Sequence, residues 1–255
     1  MSAVTEIAEL LKEARRSGVP CEPPSVRWPE LTVQEAYEVQ ARGVTGQVVG
    51  RKIGLTSEAV QKWLGVREPD FGVLTAKMAV LDGLSVASGE LLQPRAEAEV
   101  AFVLGRDLEG PGVTAAEVIG ATDYVLPAIE IIDSRIADWK ITFEDTICDN
   151  ASSGLFVLGS SPRSLMGLDL RQAGMALRKN GRVVSTGAGA ACLGHPVNAV
   201  VWLANRLAGF GQGLKAGEVV LSGALGPVTP VEGGDFLRAE ISGLGSVQVR
   251  FGREG

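Results

Sequence analysis

The chain has 255 residues, 45% of them hydrophobic and 21% charged, which is enough for one large domain, or a small N-terminal part on a larger one, and too apolar for disorder. Its net charge of −6, without any extended Lys/Arg cluster, excludes the electrostatic footprint of a nucleic-acid binder. Acids interrupt the apolar positions of the N-terminus, so neither a signal peptide nor a membrane span is expected, and the expected location is cytoplasmic.

Ile7, Leu10, Leu11 and Ala14 recur at helical spacing until Gly18 and Pro20, which predicts an amphipathic first helix. Thr32 followed by Glu35 is a capping box that predicts a second helix ending at Gly43. From Val48 the texture changes to short β-type runs, namely VVGRKIGL, LLQPRAEAEVAFVLG, YVLPAIEII, GLFVLG, GRVVSTG, EVVLSGAL, FLRAEISGL and SVQVRF. Two further helices are predicted, one opened by Thr114 and Glu117 and one running from Pro196 through VNAVVWLANRLAGFG. The 33 glycines agree with many tight turns and a β-rich α+β fold. A soft division near residue 80 separates a helical N-terminal part, 1–80, from a β-rich catalytic part, 81–255. Cys21, Cys148 and Cys192 form no CxxC pair and read as reduced thiols, not as a zinc site or a disulfide framework.

The chemistry concentrates in RAEAEVAFVLG. Alternate strand residues share a face, so Glu97 and Glu99 point the same way about 7 Å apart, with Ala101 and Val103 continuing that face. Two carboxylates entering a buried face repel and lose hydration unless one is protonated or a cation sits between them; a strand end still in solvent is the alternative. Glu130, inside the apolar run VLPAIEII, adds a third acid, whose own alternative is a pair with an arginine such as Arg135. Were these strands neighbours, three carboxylates and no histidine would make an all-oxygen site suited to Mg²⁺ or Mn²⁺. Lys52 is flanked on its strand face by Gly50 and Gly54, whose missing side chains would leave room for a ligand, or else it is a surface lysine beside Arg51. Asp70 follows Pro69 in a predicted turn, where an aspartate usually bonds its own backbone. Asp133, Arg135 and Asp138 read as a solvated or ion-paired loop, and DNASSG, with Ser152, as a carboxylate-holding turn or an Asx-turn. In TGAGAACLGHP, Gly187 and Gly189 resemble part of a dinucleotide fingerprint, but no βαβ unit surrounds them. His195, the lone histidine, reads as a helix cap, and there is no G-x-S-x-G elbow.

GRKIGLTSEAVQKWLGVREPDFG, LQPRAEAEVAFVLGRDL, VLPAIEIIDSRIADWK, DNASSGLFVLG, LGHPVNAVVWLAN and LSGALGP together resemble the hydratase and decarboxylase branch of the fumarylacetoacetate hydrolase superfamily, over nearly the whole chain. The resemblance implies a mixed β-rich core with a helical N-terminal part, a Mg²⁺ or Mn²⁺ site on Glu97, Glu99 and Glu130, an active-site lysine at Lys52, a hydratase-type acid at Asp70 and a substrate-facing serine at Ser152. It implies hydration of a small 2-hydroxydienoic acid, 2-hydroxypenta-2,4-dienoate, in the catabolism of aromatic compounds. The decarboxylases of the branch, acting on 2-oxohex-3-enedioate, tend to carry an apolar residue where this chain has Asp70. Homo-oligomers, and a complex with a sister decarboxylase or a downstream aldolase, are implied as partners. Hydrolysis of a β-diketone, and a non-catalytic nucleotide-binding or partner role, are the more distant alternatives.

Overall fold

Local signals set the N-terminal helices. In the computed structural model, which describes residues 2–253 apart from the side chains of Trp63 and Leu64, α1 spans Ala3–Ser17, capped by the Ser2 side chain and closed by Gly18 in the left-handed region at φ 72°. It buries Val4, Ile7, Ala8, Leu11 and Ala14. A short α2 (Pro24–Arg27) leads to α3 (Val33–Gly43), whose Thr32–Glu35 capping box forms as expected.

The expected strands follow, with several elements that the sequence pattern did not mark. The chain continues through β1 (Val48–Gly54), α4 (Glu58–Leu64), β2 (Asp70–Thr75), β3 (Ala79–Leu81), β4 (Ser85–Val86), β5 (Arg95–Leu104), α5 (Ala115–Ala121) and β6 (Thr122–Ile132). Then come α6 (Phe143–Cys148), β7 (Ser153–Leu158), β8 (Gly174–Lys179), β9 (Arg182–Ala188), α7 (Pro196–Ala208), β10 (Val219–Leu221), β11 (Thr229–Pro230), β12 (Phe236–Ile241) and β13 (Gly245–Phe251). Asp70 therefore opens a strand and does not sit in a turn. The unmarked α6 carries a legible start, since Thr142 and Asp145 form a capping box.

Two mixed sheets result. The larger has the order β2-β1-β10-β5-β6-β7-β3, with β11 paired to β5; the smaller has the order β4-β13-β12-β8-β9. Strands β1 and β2, which precede residue 80, thus pair into the sheet that carries the acids, and the expected division runs through it. On β5 one face buries Ala96, Ala98, Val100, Phe102 and Leu104, and the other buries Glu99, Ala101 and Val103, so both faces are interior as the alternation suggested. Among the described residues no helix is long and apolar enough to cross a membrane, and all three cysteines are free.

Candidate active site

The register of β5 on β6 decides the site. Antiparallel pairing places Glu97 opposite Glu130, and Glu99 lies two residues along the same face of β5. Carboxylate oxygens of Glu97, Glu99 and Glu130 come within 4.8 Å of one another. Glu99 is 0% and Glu130 1% exposed, with Glu97 half-buried. Gly223, at φ 102° just beyond β10, donates its N–H to Glu99 Oε2 at 2.7 Å, while Glu99 Oε1 and both Glu130 oxygens lack hydrogen-bond donors. Orphaned buried carboxylate oxygens are costly, so this cluster fits a hard divalent cation: it offers only oxygen donors and leaves unmatched the very atoms a cation would bind.

Burial first, then repulsion by Glu130, pushes the Glu97 carboxyl up to about 7. Burial, with Glu130 and Glu97, likewise holds Glu99 well above the usual carboxylate range, despite the Gly223 N–H. A divalent cation shared by the three carboxylates would favour their charged forms and oppose both shifts.

β1 reaches the cluster from the other side, because it pairs in parallel with β10, which pairs with β5. Its Lys52 is 3% exposed, and Nζ lies 3.2 Å from Glu130 Oε1, within ion-pair distance but without hydrogen-bond alignment. Burial opposes the ammonium, yet Glu130, then Asp70, Glu97 and Glu99, outweigh it and hold the Lys52 pKa above the usual lysine range. Glu130 therefore pairs with Lys52, and Arg135, its suggested partner, is engaged elsewhere.

Asp70 completes the arrangement. β2 pairs antiparallel with β1 so that Asp70 stands opposite Gly54, and a Cβ at Gly54 would lie 2.1 Å from Asp70 Oδ1 and 3.5 Å from Lys52 Nζ. The missing side chain thus makes room for the Asp70 carboxylate. Gly50 serves backbone contact, since a Cβ there would lie 2.0 Å from the Val219 carbonyl oxygen on β10. Both corrections have one cause: the neighbouring strand, and not a ligand, fills the space that the glycines vacate. Asp70 is 1% exposed, its Oδ2 accepts from Thr146 Oγ1 at 3.3 Å, and its Oδ1 has no donor. Burial raises its pKa against the opposing pull of Lys52 and Thr146.

The turn before β7 holds Asn150, Ala151 and Ser152 in the left-handed region, at φ 55°, 51° and 54°. Three successive side-chain-bearing residues in that region are strained. What holds them is Asn150, whose side chain accepts from Val73 N and donates to Val73 O, so it ties the turn to β2 and does not form an Asx-turn. Behind it Arg135 and Asp149 form a buried pair, with Asp133 3.9 Å from Arg135. Of the solvated or ion-paired loop expected here, Asp138 takes the solvated form, pairing with Lys140 at the surface, while Asp133 and Arg135 take the ion-paired form in the interior. Thr146 and Gly223 were not singled out in the sequence; only the Thr142 capping box and the glycine of LSGALGP pointed toward them.

Gly187 and Gly189 do not form a nucleotide loop. A Cβ at either would lie within 2 Å of a carbonyl oxygen, that of Leu225 or Leu170, and β9 pairs antiparallel with β8. His195 caps α7, its Nδ1 accepting from Val197 N at 3.1 Å.

Residues 39–251 match the C-terminal family of fumarylacetoacetate (FAA) hydrolase. The chain belongs to the fumarylacetoacetate hydrolase family. Within it, the chain is 52% identical to the TodF product hydratase of Pseudomonas putida F1, over 98% of this chain and 96% of that one. It is also 52% identical to a 2-keto-4-pentenoate hydratase of Paraburkholderia xenovorans LB400, over 96% and 94%. Among solved structures, 4-oxalocrotonate decarboxylase from Pseudomonas putida G7, complexed with magnesium and adipate, superposes with a TM-score of 0.92 at 40% identity, each chain covered to 97%. These fumarylacetoacetate hydrolase relatives are enzymes acting on small molecules.

Proposed function

We propose that the protein is a hydratase that adds water to 2-hydroxypenta-2,4-dienoate, giving 4-hydroxy-2-oxopentanoate, with Glu97, Glu99 and Glu130 as ligands for Mg²⁺ or Mn²⁺. Hydratases at about half identity over almost the full chain support this reading. The observation that carries it is the Asp70 carboxylate: buried, lying over Gly54 beside Lys52, with Oδ1 unpartnered.

A cation on the three glutamates would act as a Lewis acid toward the substrate's 2-oxygen and carboxylate. The remaining work falls to the chain. Lys52, held as an ammonium, stabilises negative charge on the substrate oxygen. Once the 2-hydroxyl has given up its proton and C5 has taken one, the substrate is a 2-oxo-3-ene. Asp70 Oδ1 accepts a proton from water as the water oxygen bonds C4, the electron pair moves toward the 2-oxygen, and a proton delivered to C3 completes the addition. The Ser152 hydroxyl contacts the substrate. Burial excludes bulk water from these groups and strengthens their fields.

Decarboxylation of 2-oxohex-3-enedioate is the rival, supported by the 40% identical decarboxylase. It needs no base for water, so Asp70 separates the two. Consumption of each substrate is followed spectrophotometrically with and without chelator. Asp70→Asn is expected to lower hydration about 10²- to 10⁴-fold with Mg²⁺ affinity nearly unchanged; equal loss of both would make Asp70 structural. A homo-oligomer, and a complex with a sister decarboxylase or downstream aldolase, extend the same proposal and are read by light scattering and co-purification.

A further inference from the structure

Asp70, Thr146 and Ser152 come from β2, α6 and the turn before β7, and their buried oxygens form one chain. Thr146 Oγ1 donates to Asp70 Oδ2 at 3.3 Å and lies 3.4 Å from Ser152 Oγ. Two features hold this alignment. Gln40 Nε2, from α3, donates both to Phe71 O at 2.9 Å and to Ile147 O at 3.2 Å, the carbonyls one residue beyond Asp70 and Thr146. The short α6 is pinned at its start by Asp145, which accepts from Thr142 N and from both Ser25 N and Ser25 Oγ.

A hydroxyl has one proton, and an ionised carboxylate only accepts. While Thr146 donates to Asp70, its oxygen must therefore be the acceptor toward Ser152, whose own proton is then directed at Thr146. One hydroxyl thereby fixes the rotation of the Asp70 carboxylate and the direction of the Ser152 dipole. We propose that Thr146 is a positioning residue for hydration: it holds Asp70 Oδ2 so that Oδ1 is the oxygen presented to water, and by accepting from Ser152 it fixes the rotation of that hydroxyl. This inference rests on the hydratase reading and assigns the residue that aims the base of that reaction.

Thr146→Val removes the hydroxyl at nearly constant shape. The expected result is a fall in kcat of about 100-fold, the scale of a misplaced reacting group, with KM and Mg²⁺ affinity unchanged. Thr146→Ser, which restores the donor, returns most of the lost kcat. Unchanged kcat in the valine variant, or a loss that serine does not repair, overturns the proposal, as does a parallel loss of Mg²⁺ binding. Should the valine variant not fold, Thr146→Cys asks the same question with a poor donor of similar size. A wild-type chain that does not hydrate its substrate would remove the hydratase reading. Crystals of Thr146→Val with magnesium test the positioning separately, because a rotated Asp70 carboxylate supports it and an unmoved one overturns it.

Discussion

Stripping the cation from the three-glutamate cluster should make the protein's stability depend on pH in a defined direction. Glu97 rises from 4.5 to about 7 through burial and then Glu130. A carboxyl that holds its proton more tightly in the folded than in the unfolded chain adds no stability difference below about 4.5, and its cost grows as pH rises toward 7, above which the cost is complete. At about 1.4 kcal/mol for each tenfold change in proton affinity, Glu97 accounts for roughly 3 kcal/mol, discounted to about 2 because it is half-buried. Glu99 shifts in the same direction and adds to it. Bound Mg²⁺ replaces the protons, so its stabilisation should grow over the same interval. Melting curves at pH 5 and pH 8, each with excess Mg²⁺ and with chelator, read the difference. The gap between the two conditions should widen by about 4–8 °C at pH 8, from ~2–4 °C per kcal/mol in a chain of this size. An equal gap at both pH values would refute the electrostatic account of the cluster.

Three substitutions test the supporting geometry. Gly54→Ala puts a methyl group 2.1 Å from Asp70 Oδ1 and should displace that carboxylate, lowering hydration by about 100-fold while Mg²⁺ affinity measured by titration stays near wild type. Arg135→Ala leaves Asp149 buried without its partner and should destabilise the fold by about 3–5 kcal/mol in urea unfolding. Gln40→Leu strips a donor from two buried carbonyls, Phe71 O and Ile147 O, so a loss of about 1–3 kcal/mol is expected, with a lower kcat as β2 and α6 loosen.

The local features of this protein were legible because their causes are local. Capping boxes at Thr32 and Thr114 need only neighbouring residues, and α1 needs only its spacing of Ile7, Leu11 and Ala14. The alternation on β5 put Glu97 and Glu99 on one interior face without knowledge of any other strand, and the burial of Glu130 followed from its apolar neighbours. The resemblance in motif order supplied the family.

Partner choice was not legible, because it is set by contacts between residues far apart in sequence. Only the β5–β6 register puts Glu130 opposite Glu97, and only the route from β1 through β10 to β5 brings Lys52 to Glu130 in place of Arg135. Asp70 looked like a turn residue since Pro69 precedes it, yet pairing with β1 drew it into a strand and over Gly54. Arg135 was expected in a solvated or ion-paired loop, but its main partner was not legible: the turn at Asp149 folds back on it and buries both. Alternation along a strand fixes which way a side chain points; what it meets there depends on a neighbour that the chain supplies from elsewhere, and that pairing exists only once the sheet has formed.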